Sequence, residues 1–188
     1  MIQKVKGKKY LINGGLGMIG STIAKILVEA KAEVTIVDAM IEPFGANLFN
    51  IREIKDQVKT RLLDIKDTEE MKKEIEGKDV IFNLAGQVAH NDSIVDPIYD
   101  AKLNYLYQLN VMECVRQVNP NAKIVFSGSR LQFGKIKNIP VDESHASCPE
   151  TPYALHKQAT EDMYQFYNRQ YDIDTVVFRI ANPYGPRG

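Results

Sequence analysis

The chain has no tryptophan, two cysteines, three histidines and no net charge, its 24 lysines and arginines facing 24 aspartates and glutamates in 188 residues. Each shortage excludes a class of function. Cys114 and Cys148 stand far apart with neither a CxxC pair nor a Cys/His cluster, so a disulfide framework and a zinc site both lack ligands. His90, His145 and His156 are scattered without ligand spacing, and His156 reads as a surface residue of its helix, so no metal is expected. Balanced charge leaves no net field to attract nucleic acid or an anionic membrane. No apolar run approaches the roughly eighteen residues of a spanning helix, and the basic start MIQKVKGKKY leads into too short a run for a signal peptide. The expectation is one cytoplasmic domain with free thiols, bound to neither nucleic acid nor membrane.

What the sequence does have is alternation. Short apolar runs at 10–13, 33–37, 58–63, 79–84, 123–127 and 175–179 read as strands. Stretches of helical period at Met18–Glu29, Thr68–Glu76, Pro97–Val118 and Tyr153–Tyr171 separate them. Strands buried on both faces and joined by helices predict an α/β fold, an open doubly wound parallel sheet with helices on both faces. Ligands of such sheets collect beyond the carboxyl ends of the strands, so the residues that follow each strand carry the chemistry.

The first strand is followed by NGGLGMIG, with Gly14, Gly17 and Gly20 at the start of a helix. Glycines there allow a tight turn, the approach of a pyrophosphate to the backbone, and close packing of helix on strand. Asp38 ends the second strand about twenty residues later, where a carboxylate accepts from ribose hydroxyls and repels a 2′-phosphate; NAD is favoured over NADP. Asp64, after the third strand, reads either as a further contact near the adenine or as a helix cap before Thr68.

In YALHK, Tyr153 and Lys157 stand four residues apart on one helix face, where the ammonium would bring the phenol below its ordinary pKa of about 10. Alone, such a pair is more often an exposed helix pair. Joined to the glycine loop, to Asp38 and to serines ending a strand upstream, it resembles the short-chain dehydrogenase/reductase superfamily, and most closely its extended branch of NAD-dependent nucleotide-sugar epimerases and dehydratases. NGGLGMIG is similar to that branch's TGGxGxIG, LLDIKD to GDIRD, NLAGQ to HLAAQ, and FRIANPYGP to LRxxNVYGP. Asn13 replaces the usual threonine and Gly86 the second alanine.

The resemblance implies a Rossmann-type NAD-binding domain over residues 1–188, with the family's smaller substrate lobe lying beyond the chain. It implies that Gly14, Gly17 and Gly20 cradle the pyrophosphate, Asp38 the ribose, and Asp64 and Ile65 the adenine, with Met18 and Ile19 also binding the cofactor. Ala85, Gly86, Gln87 and Ser127 would line the cofactor. Asn104 would stand near the nicotinamide ribose and the lysine; its bland reading is a surface amide. Ser93 and Asn182 would meet a nucleotide-sugar substrate. The helices beginning near Pro97 and Tyr153 would make a homodimer.

FSGSRLQFG, at 126–134, resembles the epimerase pattern FSSSxxVYG. It places Ser129 at the catalytic hydroxyl beside the acid/base Tyr153 and the ribose-holding Lys157, while strand-ending and turn-capping fit Ser127 better. Where the resembling dehydratases carry an acid, this chain has Arg130 and Leu131, neither able to move a proton at neutral pH. Transient oxidation at C4 of a sugar, an epimerase reaction, is therefore expected over elimination. Net sugar-nucleotide oxidoreduction and a non-catalytic NAD-sensing module are the alternatives.

Overall fold

Six apolar runs become six parallel strands because each is flanked by a helix that covers one of its faces. The computed structural model describes residues 5–185. Its strands are β1 (Lys9–Asn13), β2 (Glu33–Asp38), β3 (Val58–Leu62), β4 (Val80–Asn83), β5 (Lys123–Ser129) and β6 (Thr175–Ile180). They form one sheet in the order β3-β2-β1-β4-β5-β6, every pairing parallel. The order reverses between β1 and β4, so the crevice at a doubly wound sheet's switch point opens beyond their carboxyl ends.

The helices are α1 (Met18–Glu29), α2 (Thr68–Ile75), α3 (His90–Val95), α4 (Pro97–Ala101), α5 (Tyr107–Val118) and α6 (Pro152–Tyr171), with a π-helical turn over Lys102–Leu106. Strand alternation divides the core in two. Tyr10 and Ile12 of β1 pack with Ile36, Ala24 and Leu27 on the α1 side. Leu11 packs with Ile81, Phe126, Met112 and Tyr164 on the α5 and α6 side. Cys114 is free and buried, its thiol pushed up to about 11 by burial; Cys148 is free and exposed.

Three local features differ from the sequence expectation. The helix over 97–118 is interrupted: Gln108 Nε2 donates to the Leu103 carbonyl at 2.8 Å and Thr160 Oγ1 to that of Asn104 at 2.5 Å, and these competing donors accompany the widened turn. α3 was not anticipated, since HNDSIV is half polar and too short for a clear period. β5 runs on to Ser129 because β6 pairs with it through Ser129↔Ile180. Elsewhere the bounds agree closely, and Thr151 and Pro152 start α6 as cap and first residue, the Thr151 hydroxyl accepting from the Ala154 N–H.

Gly20 fixes how α1 leaves β1. A Cβ there would lie 2.3 Å from the Gly14 carbonyl oxygen and 2.7 Å from Gly15 Cα, both backbone atoms that cannot swing aside. Gly20→Ala is therefore expected to cost on the order of 1–3 kcal/mol of stability. A urea titration checks this; an unchanged midpoint would contradict the close packing.

Candidate active site

A cleft of about 830 Å³ opens at the carboxyl ends of the strands. Gly14, with φ +76°, donates its N–H to the Val37 carbonyl at 2.8 Å, and a Cβ on it would meet Ala85 N at 2.8 Å. Glycine is thus required where β1, β2 and the loop after β4 converge. Gly17 differs: a Cβ on it would find nothing nearer than 3.6 Å, so no protein atom occupies that space. It is also the N-cap of α1, without a side-chain cap and with no acid in the first turn. Open floor, free N–H groups and the positive end of a twelve-residue helix suit a pyrophosphate. Gly14, Gly17, Met18, Ile19 and Gly20 all line this part of the cleft.

Asp38 ends β2 at the cleft wall. Its Oδ2 accepts from the Leu16 N–H at 3.0 Å and its Oδ1 from the Met40 N–H at 2.9 Å. Each oxygen keeps a lone pair, so the carboxylate is oriented and can still accept from a ribose. Asp64 and Ile65 form the wall beyond. The helix-cap reading of Asp64 is replaced by the structure: α2 is capped by Asp67, which accepts from the Glu70 N–H, while Asp64 pairs with Lys66 at 2.9 Å.

Ser127, Ser129, Tyr153 and Lys157 meet at the other end of the cleft. Lys157 is 4% exposed; its Nζ donates to the Ser127 carbonyl at 3.0 Å and lies 4.8 Å from the centre of the Phe126 ring. Burial lowers its pKa to about 8, against the opposing charge of Asp100. The Tyr153 pKa is raised, first by burial; a hydrogen bond with Ser129 works to lower it, and Asp100 adds to the rise. This reverses the expectation that the lysine brings the phenol down. The i, i+4 spacing places Lys157 Nζ 5.8 Å from the Tyr153 ring centre, yet desolvation of the nearly enclosed phenol is the largest influence on it.

Ser129 has two occupations. Its Oγ accepts from the Leu131 N–H at 3.2 Å, capping the short turn Arg130–Phe133, and the same hydroxyl meets Tyr153. The capping role expected of Ser127 thus falls to Ser129, because β5 extends to it. Gln132, unread in the sequence, completes the cap: its Oε1 accepts from the Ser129 N–H at 2.7 Å and its Nε2 donates to Glu161 at 2.7 Å.

Other expected residues are placed differently. Ala85 and Gly86 line the cleft; Gln87 does not, being 2% exposed with Nε2 turned to the Ala89 carbonyl. Ser93 is fully buried and lies off the cleft wall: its hydroxyl donates to the His90 carbonyl and accepts from the Tyr153 N–H at 3.0 Å, so it anchors the start of α6 and is not aimed at a sugar. Asn104 is fully buried, which removes the surface-amide reading; it too lies behind the wall. Asn182 lines the cleft and accepts from Arg130 Nε at 3.1 Å. His156, read as a surface residue, contacts Asp100 at 2.6 Å, a pairing across 56 positions that no local spacing signals. Among the described residues there is no cluster of metal ligands, and no helix is long and apolar enough to cross a membrane.

Residues 10–188 match the NAD dependent epimerase/dehydratase family. A Methanocaldococcus jannaschii protein provisionally named UDP-glucose 4-epimerase is 34% identical over 183 residues, covering 94% of this chain and 56% of the relative. The solved UDP-N-acetylglucosamine 4-epimerase of Methanobrevibacter ruminantium, in complex with UDP-N-acetylmuramic acid, superposes with a TM-score of 0.89 at 29% identity, over 97% of this chain and 57% of that one. The UDP-glucose 4-epimerase of Thermotoga maritima, with UDP-glucose, gives 0.85 at 29% identity, over 95% and 57%. The chain therefore spans a little over half the length of these proteins. With a glycine cradle, an acidic strand end and a Tyr–Lys pair in one cleft, it belongs to the NAD dependent epimerase/dehydratase family, and NAD is its cofactor.

Proposed function

We propose that this is the cofactor domain of a nucleotide-sugar epimerase acting by transient oxidation at C4. The observation that carries the reading is the convergence of Ser129, Tyr153 and Lys157 at the end of the cleft opposite Asp38, with Arg130 and Leu131 where an eliminating acid would otherwise stand. The similar proteins named as 4-epimerases support the same reaction class.

NAD, when bound, supplies the hydride acceptor that later returns the hydride, together with a positively charged ring. The residues do the rest. Gly14, Gly17 and the first turn of α1 hold the pyrophosphate, Asp38 the adenosine ribose, and Lys157 the nicotinamide ribose. Ser129 hydrogen-bonds the C4 oxygen and Tyr153 takes its proton, giving it back to the keto sugar after the sugar turns its other face. The raised pKa of Tyr153 in the free chain means that the phenol is neutral at rest, and the positive charge that arrives with the cofactor favours its ionisation.

A homodimer through α4, the π turn, α5 and α6 is part of the proposal. It is supported by Ile98, Leu106, Leu155, Phe166 and Tyr171, large apolar side chains left exposed on those helices. Because the chain covers 57% of the similar solved enzymes, these 188 residues alone are expected to bind NAD but to turn over sugar nucleotides poorly. Turnover of a panel of UDP-, GDP-, CDP- and dTDP-sugars, with NADH absorbance followed in parallel, tests the reading. Efficient epimerisation by this chain alone would overturn the second half of that expectation. Stoichiometric NADH accumulation in the full-length protein would overturn the epimerase reading in favour of net oxidoreduction.

NAD should bind at least tenfold more tightly than NADP, because the Asp38 carboxylate repels a 2′-phosphate; equal affinities in calorimetry would remove Asp38 from its role. In the full-length protein Tyr153→Phe should lower kcat by a factor on the order of 10² to 10⁴ with little change in NAD affinity, whereas Lys157→Met should weaken both. Near-normal turnover by Tyr153→Phe would remove the tyrosine from the chemistry.

A further inference from the structure

Beside the Tyr–Lys pair lies an ionisable couple that the proposed chemistry leaves unused. Asp100 of α4 is 1% exposed, yet none of its contacts is with lysine or arginine. Its Oδ2 contacts His156 Nδ1 at 2.6 Å and its Oδ1 accepts from Asn104 Nδ2 at 2.9 Å. Buried carboxylates are costly unless matched by charge or several donors. Lys157 is buried as deeply and, among the described residues, has no carboxylate within ion-pair distance; its contacts are the Ser127 carbonyl and the faces of Phe126 and Tyr153. Among the described residues Lys157 has no carboxylate in contact, and the one ionisable group that touches Asp100 is His156.

Asn104 stands between them. Its Nδ2 is committed to Asp100 and to the Gln87 carbonyl at 3.1 Å, which leaves its Oδ1 buried and without a partner. A Cβ built on Gly86 would lie 2.6 Å from that Oδ1 and 3.6 Å from Lys157 Nζ, so amide oxygen and ammonium converge on one spot over Gly86. Were the amide turned over, its NH2 would face the ammonium and its oxygen would face a carboxylate. Asp100 forbids that orientation.

We propose that Asp100, tied to His156, is a positioning residue for the Tyr153–Lys157 pair, serving as counter-charge to the buried ammonium and holding the Asn104 oxygen toward it. The inference rests on the catalytic reading of that pair, but its direct test does not. The groups around Lys157 are few. α4 contributes Asp100, the π turn Asn104, β5 Phe126 and the Ser127 carbonyl, and α6 Tyr153 and His156. Glu161, one turn further along α6, is committed to Arg179 and Gln132. A carboxylate favours the ammonium and disfavours the phenolate, so it raises both ionisations. Its removal must lower both.

The test is a ¹³C-lysine NMR titration of this chain, the Lys157 signal identified by its loss in Lys157→Arg. The wild-type midpoint is expected at about 8. Asp100→Asn should move it down by roughly one unit or more, while Asp100→Glu should hold it near the wild-type value. An unmoved midpoint in Asp100→Asn overturns the proposal. Should Asp100→Asn not fold, the wild type still decides: a buried ammonium without a counter-charge titrates near about 5 to 6, so a wild-type midpoint below about 7 is equally fatal. In the full-length protein the pH–rate profile of Asp100→Asn should shift to lower pH on both limbs. A lower rate with unshifted limbs would mark a structural role only and overturn the proposal. Loss of turnover in wild type, with the NMR shift present, would count against the epimerase reading and leave the placement of Asp100 intact.

Discussion

The cleft is organised by one costly arrangement, an ammonium kept almost wholly out of water. Lys157 has a backbone carbonyl, two ring faces and a carboxylate beyond hydrogen-bonding range to replace its hydration, and burial drives its pKa down to about 8 in spite of them. Everything near it is placed accordingly. Two residues before β5 ends, the Ser127 carbonyl accepts from Nζ, and Phe126 points its face at the charge while stacking on Tyr164 in the core. The π turn, for its part, puts Asn104 on the inward side. A group whose pKa burial has brought to about 8 is sensitive to what enters the cleft.

The other end of the cleft is governed by steric exclusion. Backbone touches backbone where Gly14 meets Ala85 and Gly20 meets Gly14, so β1, α1 and the loop after β4 are locked without side chains. Of Gly14, Gly15, Gly17 and Gly20 in this loop, Gly17 is the one with free space above it, at the amino end of a helix that no side chain caps. Two neighbouring glycines thus serve the fold, and the one between them is free to serve a ligand.

The sequence made legible what depends on short spacing. Glycines three apart between a strand and a helix, an aspartate ending the next strand, and a tyrosine and lysine four apart on a helix need no tertiary knowledge, and each stands where its pattern placed it. Burial is different. The i, i+4 rule put Lys157 beside Tyr153 but said nothing of the desolvation that sets the direction of the tyrosine's pKa. Ser93 resembled a substrate residue, yet its hydroxyl is spent on the backbone of α6. Gln132 and the Asp100–His156 couple were invisible because their partners come from distant segments, and the capping role was assigned to the wrong serine because pairing with β6 extends β5 by two residues. The resemblance to a family supplied the roles; the packing decides which side chains are free to perform them.

The central claim is that hydride leaves and returns to the same sugar within one cleft, with Tyr153 moving only the proton. Epimerisation of a sugar nucleotide deuterated at C4 by the full-length protein, followed by mass spectrometry in ordinary water, tests it most directly. Retention of the deuterium in the epimerised product is the predicted result. Washing of the label into solvent, or its appearance in released NADH, would contradict the account.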